Sequence, residues 1–145
     1  MSKFLRMLLA VVVGLVIGSV VNMTLIQVSG QVIAPPSGVD ATTFEGLRAS
    51  LHLFEARHFV FPFLAHALGT LVGACIACWL APARSAVPAY TVGGMFLLGG
   101  IANTFMLPAP AWFVTADLLL AYLPAAWMGQ ALARRLPGSG VSNRP

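Results

Sequence analysis

The sequence predicts an all-α fold, a polytopic membrane protein whose four transmembrane helices form a bundle, with an amphipathic helix in the long first outer loop. Of its 145 residues, 59% are hydrophobic and 8% are charged, whereas a soluble domain carries about 25% charged residues. The mean hydropathy is +0.88. A soluble domain of this length could not bury so much apolar surface. We therefore expect the lipid bilayer to be its solvent and its main partner.

The apolar residues form four runs of about the 20 residues that cross a hydrocarbon core, at 5–27, 59–81, 89–107 and 112–133. We expect one membrane domain over residues 1–145, ending in a cytoplasmic tail at 134–145. The first run begins beside Lys3 and Arg6, as in a signal peptide, but it is longer than a signal core and lacks an A-x-A-like cleavage site. Pro124 predicts a kink in the fourth run.

The outer loop, residues 28–58, is the one long polar segment. Thr42-x-x-Glu45 resembles a capping box and predicts a helix over about 43–57. This helix would lie on the membrane surface or pack over the bundle as a lid, and the sequence leaves both open. Its apolar face holds Phe44, Leu47, Leu51 and Phe54, and its polar face holds Glu45, Arg48, His52 and Glu55.

The basic residues predict the orientation. Under a four-helix topology most of them share one side: Lys3, Arg6, Arg84, Arg134, Arg135 and Arg144. The positive-inside rule places this side, with both termini, in the cytoplasm of a multi-pass inner-membrane protein. The net charge of +4 is scattered, so we do not expect a nucleic-acid partner, which needs a clustered basic face.

Four polar side chains fall at similar depth, counted in residues from the outer helix ends: Asn22, His66, Asn103 and Asp117. An ionised Asp117 facing lipid would cost a few kcal/mol, so we expect it to face inward, with His66 as its partner. This polar layer either binds a ligand or relays a proton, or it fixes the helix register.

The first and third runs resemble each other when Asn22 is aligned with Asn103, since GSVVNMTLI then lies over GGIANTFML. Each of the two runs is also followed by a helix with one ionisable group near its start, His66 in one case and Asp117 in the other. A duplication of two helices would give parallel repeats about an axis along the membrane normal. Small residues predict close helix packing at Gly14, Gly18, Gly69, Gly73, Gly99 and Gly100.

Two short motifs do not favour a reactive site. Cys75-x-x-Cys78 has redox spacing, but no second cysteine pair accompanies it, so we expect two apolar core thiols. His52, Glu55 and His58 recur at spacings of three, which favours a solvated face over a zinc site. We expect no metal and no cofactor.

The phrases PFLAHALGTLVGA (62–74) and GGIANTFMLPAPAWF (99–113) resemble a family of small bacterial four-helix inner-membrane proteins of uncharacterised activity. The resemblance implies the four-helix topology and a bacterial inner membrane. It implies no catalytic residue.

Three hypotheses about function follow. In the first, a non-enzymatic membrane protein, which could be a homo-oligomer, binds or passes a small ligand or proton at the polar layer. The second is a structural or accessory subunit of a membrane complex, recognised by its glycine faces. The third is a membrane enzyme acting on a lipid or isoprenoid, with His66 as base and Asp117 orienting it.

Overall fold

The computed structural model describes residues 2–137, and all regular structure within that range is helical. The predicted all-helical class is confirmed for this part of the chain. Residues 138–145, which include Arg144 and most of the predicted tail, lie outside it. The α-helices are α1 (Lys3–Val32), α2 (Phe44–Ser50), α3 (Val60–Leu80), α4 (Ala86–Met106), α5 (Ala111–Leu120) and α6 (Leu123–Arg135).

Four helical stretches are long and apolar enough to cross a membrane: Lys3–Val32, Ala56–Leu80, Ala86–Met106 and Ala111–Arg135. Many of their large apolar side chains point outwards, among them Leu98 and Phe105, which are 67% and 81% exposed. An exposed apolar surface of this kind is what a bilayer covers.

The helices α1 and α3 cross with their backbones in contact. A Cβ at any of four glycines would lie between 2.5 and 2.8 Å from a carbonyl oxygen of the opposite helix. The facing pairs are Gly14 with Gly73 and Gly18 with Gly69. Because these contacts are inside the bundle, the Gly14 and Gly18 face is not free for a partner protein.

The helix α3 is central, since it packs against α1, α4 and α6. Small side chains allow the close approach of α6: a Cβ at Gly93 would meet Ala126, and one at Gly129 would meet the backbone of α3. The core between these helices consists of Ala74, Cys75, Cys78, Ala89, Ala126 and Ala133.

Two helix bounds differ from the sequence prediction. The helix α1 continues to Val32 instead of residue 27, because nothing before Pro35 interrupts it. Its 30 residues span about 45 Å, more than the hydrocarbon core of about 30 Å. The fourth stretch is two helices, because Pro124 lacks an N–H and its ring would clash with the carbonyl of Leu120. The regular helix is therefore interrupted by a turn at Ala121 and Tyr122, just before α6.

Residues 33–59 form a segment between α1 and α3 that we call the strap. The single predicted helix over 43–57 is wrong: α2 ends at Ser50, and two short 3₁₀ turns follow, with Phe54 extended between them. The break coincides with a new cap at Glu55, whose side chain and backbone pair with His58. The N-cap of α2 is Thr43, whose hydroxyl accepts from the Gly46 N–H at 3.1 Å, and not Thr42.

The strap packs over one end of the bundle, which we call the strap end. Leu51, Phe59 and Phe113 are buried together there, with Leu47 and Phe54 against them. The rings of Phe59 and Phe113 lie 4.8 Å apart. These contacts favour the lid alternative for the apolar face, although Phe44 stays 47% exposed. At the opposite end, the basic end, the Arg84 guanidinium donates to the Arg134 carbonyl at 3.0 Å.

Candidate functional site

The side chains of His66 and Asp117 meet inside the bundle. The Nδ1 atom of His66, on α3, lies 2.9 Å from each carboxylate oxygen of Asp117, on α5. Asp117 is 4% exposed, and the His66 side chain is 18% exposed. An aspartate with so little access to solvent requires a partner of this kind.

Tyr122 completes a triad with these two residues. Its hydroxyl donates to Asp117 Oδ2 at 2.9 Å, and its ring stacks on the imidazole of His66 at a centroid distance of 5.7 Å. Residues five apart in a continuous α-helix point about 140° away from each other. The break between α5 and α6 therefore allows Tyr122 to face Asp117. Tyr122 lies deeper in the fourth apolar run than the other aromatic residues, and this position predicts that it can reach the polar layer. Pro124 predicts a kink, but neither signal identifies Asp117 as the partner of Tyr122.

The hydrogen bonds fix the chemistry of the imidazole. A carboxylate can only accept, so Nδ1 of His66 carries the hydrogen that Asp117 receives. In a neutral imidazole the other nitrogen, Nε2, is then an acceptor. No hydrogen bond from the described residues reaches Nε2. Asp117 thus orients His66 and leaves one ring nitrogen available to a ligand or a proton.

His66 and Tyr122 line a cavity of about 1210 Å³ between α1, α4 and the strap. This volume is somewhat above the 300–1,000 Å³ that is usual for a small-molecule site. Most of the wall is apolar, with contributions from Leu15, Ile26, Met95, Phe96, Leu107 and Phe113. An apolar pocket with a few convergent polar groups is the usual form of a binding site.

The two asparagines of the predicted layer also line this cavity, but neither makes a side-chain hydrogen bond to His66 or Asp117. Asn22 lies one turn of α1 beyond Gly18 and contacts Gly69. Its Oδ1 atom is buried without a partner among the described residues. Asn103 is exposed to the open part of the cavity. The structure therefore brings together the ionisable pair, with the amides on the wall around it.

Two other sequence predictions require correction. His58 does not lie on a solvated face: it is 8% exposed, and its Nδ1 accepts from the Glu55 N–H at 3.0 Å. Its Nε2 donates to the Ala34 carbonyl at 3.2 Å and so joins the two ends of the strap. Gly99, expected to pack against a helix, has no atom within 4 Å of an added Cβ. Its neighbour Gly100 contacts Tyr122.

Elsewhere the structure offers little for redox or metal chemistry. Cys75 and Cys78 are free thiols buried in the core. Within residues 2–137, no group of three or more His, Cys, Asp or Glu side chains could hold a metal ion.

Comparisons of this chain with protein-family models, with curated proteins and with solved structures find no match.

Proposed function

We propose that this chain is a multi-pass membrane protein that binds a small ligand in the cavity, at Nε2 of His66. One observation carries the proposal: Asp117 holds His66 by Nδ1 at 2.9 Å, and the His66 side chain, whose Nε2 has no hydrogen-bond partner among the described residues, lines a cavity of about 1210 Å³. If the pair served only to fix helix register, an open space beside it would have no use. Fixing the register would also stabilise the protein little, because interhelical hydrogen bonds in membranes contribute only about 0.6 kcal/mol on average.

The bilayer location is supported by the four apolar stretches and by their exposed apolar side chains. The basic residues near the helix ends support the orientation: Lys3 and Arg6 begin α1, Arg84 precedes α4, and Arg134 and Arg135 end α6. By the positive-inside rule this basic end faces the cytoplasm. The cavity and the strap then belong to the outer half of a bacterial inner membrane.

The triad limits which polar groups fit. With Asp117 ionised and His66 neutral, Nε2 accepts a hydrogen bond from a hydroxyl. If the ligand transfers a proton to Nε2, the resulting imidazolium is paired with the carboxylate of Asp117. The pair then has no net charge, which reduces the cost of a charge in hydrocarbon. Binding of a hydroxyl and uptake of a proton are thus two uses of the same nitrogen.

The same geometry supports a second candidate, a membrane enzyme with His66 as general base, because an oriented imidazole is what such a base needs. However, no serine, threonine or cysteine in the described residues hydrogen-bonds to Nε2. We therefore favour ligand binding over catalysis. An enzyme with His66 as its base would have to activate a hydroxyl of the ligand itself or a water molecule.

Phenol, a small neutral hydroxyl donor, is a suitable probe for this proposal. We would label the histidines with ¹⁵N, place the protein in phosphatidylcholine nanodiscs and titrate with phenol. The Nε2 resonance of His66 is expected to shift with saturation, whereas that of His52, exposed on the strap, is expected to stay constant. Asp117→Asn should weaken phenol binding about tenfold, since hydrogen bonds to charged groups contribute about 1.5–3 kcal/mol.

The matched control is Glu45→Gln, an exposed acid that does not line the cavity, and it should leave phenol binding unchanged. The proposal fails if phenol leaves the His66 resonance in place, or if it shifts His66 and His52 alike. The triad would then be a device for helix register.

A further inference from the structure

The wall of the cavity restricts the charge of its ligand. No aspartate, glutamate, lysine or arginine is among the described residues that line it. The ionisable groups on the wall are His58, His66 and Tyr122. His58 is engaged at both nitrogens by the strap, and Tyr122 donates to Asp117. A phosphate or ammonium headgroup would find no counter-charge here, and an unpaired charge is costly in such surroundings.

The polar groups that remain suit a hydroxyl. Nε2 of His66 accepts a hydrogen bond, and the same wall carries uncharged polar side chains that can hydrogen-bond to a hydroxyl: Ser19, Asn22, Gln27, Ser29, Thr42 and Asn103. The rest of the wall needs an apolar body. A ligand with one hydroxyl on a long hydrocarbon chain matches both requirements.

The cavity is covered on one side and open on another. At the strap end, Leu47, Leu51 and Phe54 lie over it. Between α1 and α4, contact occurs near Gly18, where an added Cβ would lie 3.1 Å from the Phe96 ring. Towards the strap end, Gly99 and Gly30 line the cavity and have no atom within 4 Å of an added Cβ. The space beside these two glycines, between α1 and α4, is therefore not filled by the described residues, and we refer to it as the opening.

We propose that the ligand is an uncharged lipid with a hydroxyl headgroup, a long-chain or isoprenoid alcohol, that enters from the bilayer between α1 and α4. The inference rests on the proposed function and names its ligand class and route. The hydroxyl bonds to His66, and the chain lies in the opening beside Gly99.

Two glycines on α4 provide a matched pair of variants. Gly99 and Gly94 both have open space where a side chain would begin, so the structure has room for a larger residue at either one. Gly99 lines the cavity and Gly94 does not. Gly99→Phe should therefore place a ring across the opening, whereas Gly94→Phe should place one on the outer surface of the same helix.

The experiment uses hexadecanol that carries a photoreactive diazirine on its chain, incorporated in phosphatidylcholine nanodiscs with the full chain. Mass spectrometry would locate the labelled residues. We expect labelling near Met95 and Phe96 that excess hexadecanol competes away and hexadecyl phosphate does not. Gly99→Phe should reduce this labelling about tenfold or more, a loss of about 1.4 kcal/mol of binding, and Gly94→Phe should leave it unchanged.

The phenol titration of His66 separates the two proposals. If phenol still shifts His66 but hexadecanol labels both variants and the parent protein equally, the lateral route is wrong and ligand binding stands. Equal competition by hexadecyl phosphate would refute the uncharged headgroup. If phenol has no effect on His66 in the parent protein, both proposals fail. A retained phenol shift in Gly99→Phe verifies that this variant is folded.

Discussion

The ring of Tyr122 occupies the space that a side chain at Gly100 would need. A Cβ at Gly100 would lie 2.6 Å from Cζ of the Tyr122 ring and nearer still to its hydroxyl oxygen. Glycine on α4 is therefore what allows Tyr122 to reach Asp117 across the break in the fourth stretch.

Gly100→Ala is expected to displace Tyr122 and to destabilise the fold by about 1–3 kcal/mol, as overpacking usually does. The matched control is Gly99→Ala, with no atom within 4 Å, which should be neutral or stabilising by up to about 1 kcal/mol through helix propensity. Reversible unfolding in detergent micelles measures both. Equal stability of the two variants would show that Tyr122 has room to move.

The crossing of α1 and α3 should be equally intolerant of a side chain in place of its glycines. Gly18→Ala would place a methyl group 2.6 Å from the backbone oxygen of Gly69, which cannot move without shifting a helix. We expect a loss of about 2 kcal/mol in the free energy of unfolding. Gly30→Ala, at the open end of the same helix, is the control and should cause no loss. A stable Gly18→Ala protein would contradict the close backbone contact.

His58 is expected to hold the strap in place. His58→Ala removes the acceptor for the Glu55 N–H and the donor to the Ala34 carbonyl. A lost hydrogen bond of about 1 kcal/mol raises the opening equilibrium about fivefold, so hydrogen exchange at residues 44–58 should accelerate by at least that factor. His52→Ala, an exposed change on the same segment, should leave exchange rates as they are. Identical exchange in the two variants would rule out this role.

Asp40 should confer a pH dependence on the turn before α2. The Thr42 hydroxyl donates to its carboxylate, and the Thr42 N–H and Thr43 hydroxyl also donate, so the pKa of Asp40 lies below its ordinary value of 3.8. A lowered pKa contributes stability that is present above pH 3.8 and lost as the pH falls through the folded-state pKa.

An NMR titration of the Asp40 carboxyl carbon measures this pKa. The midpoint should lie below 3.8 and rise in Thr42→Ala, because the Thr42 hydroxyl is the largest cause of the shift. A midpoint at 3.8 or above would contradict the hydrogen bonds that the Asp40 carboxylate accepts in this turn.

Much of the architecture could be predicted because its signals are local. Runs of apolar residues determine the four stretches, and the cost of a carboxylate in hydrocarbon is enough to predict that Asp117 needs a partner. His66 follows as that partner, since helix depth can be counted along the chain. The proposed duplication, by contrast, stays a prediction, because no structural comparison of the two halves tests it.

The remaining features depend on tertiary contacts. Tyr122 reaches Asp117 through a helix break whose direction Pro124 does not encode. The strap takes its shape from Phe54 and His58 packing on the bundle, which overrides the helical pattern of residues 43–57. Likewise, Gly99 and Gly100 are equivalent in sequence, and only the position of the Tyr122 ring distinguishes them.

Asp117 is the only acidic residue in the four apolar stretches, so their interior electric charge depends on the proton at His66. His66 is six residues from the start of α3 at Val60, a depth of about 9 Å in a core of about 30 Å. In the proposed membrane orientation, a proton that reached His66 from the strap end would cross about a third of the membrane potential. Its binding energy would change by about 0.7 kcal/mol for every 100 mV.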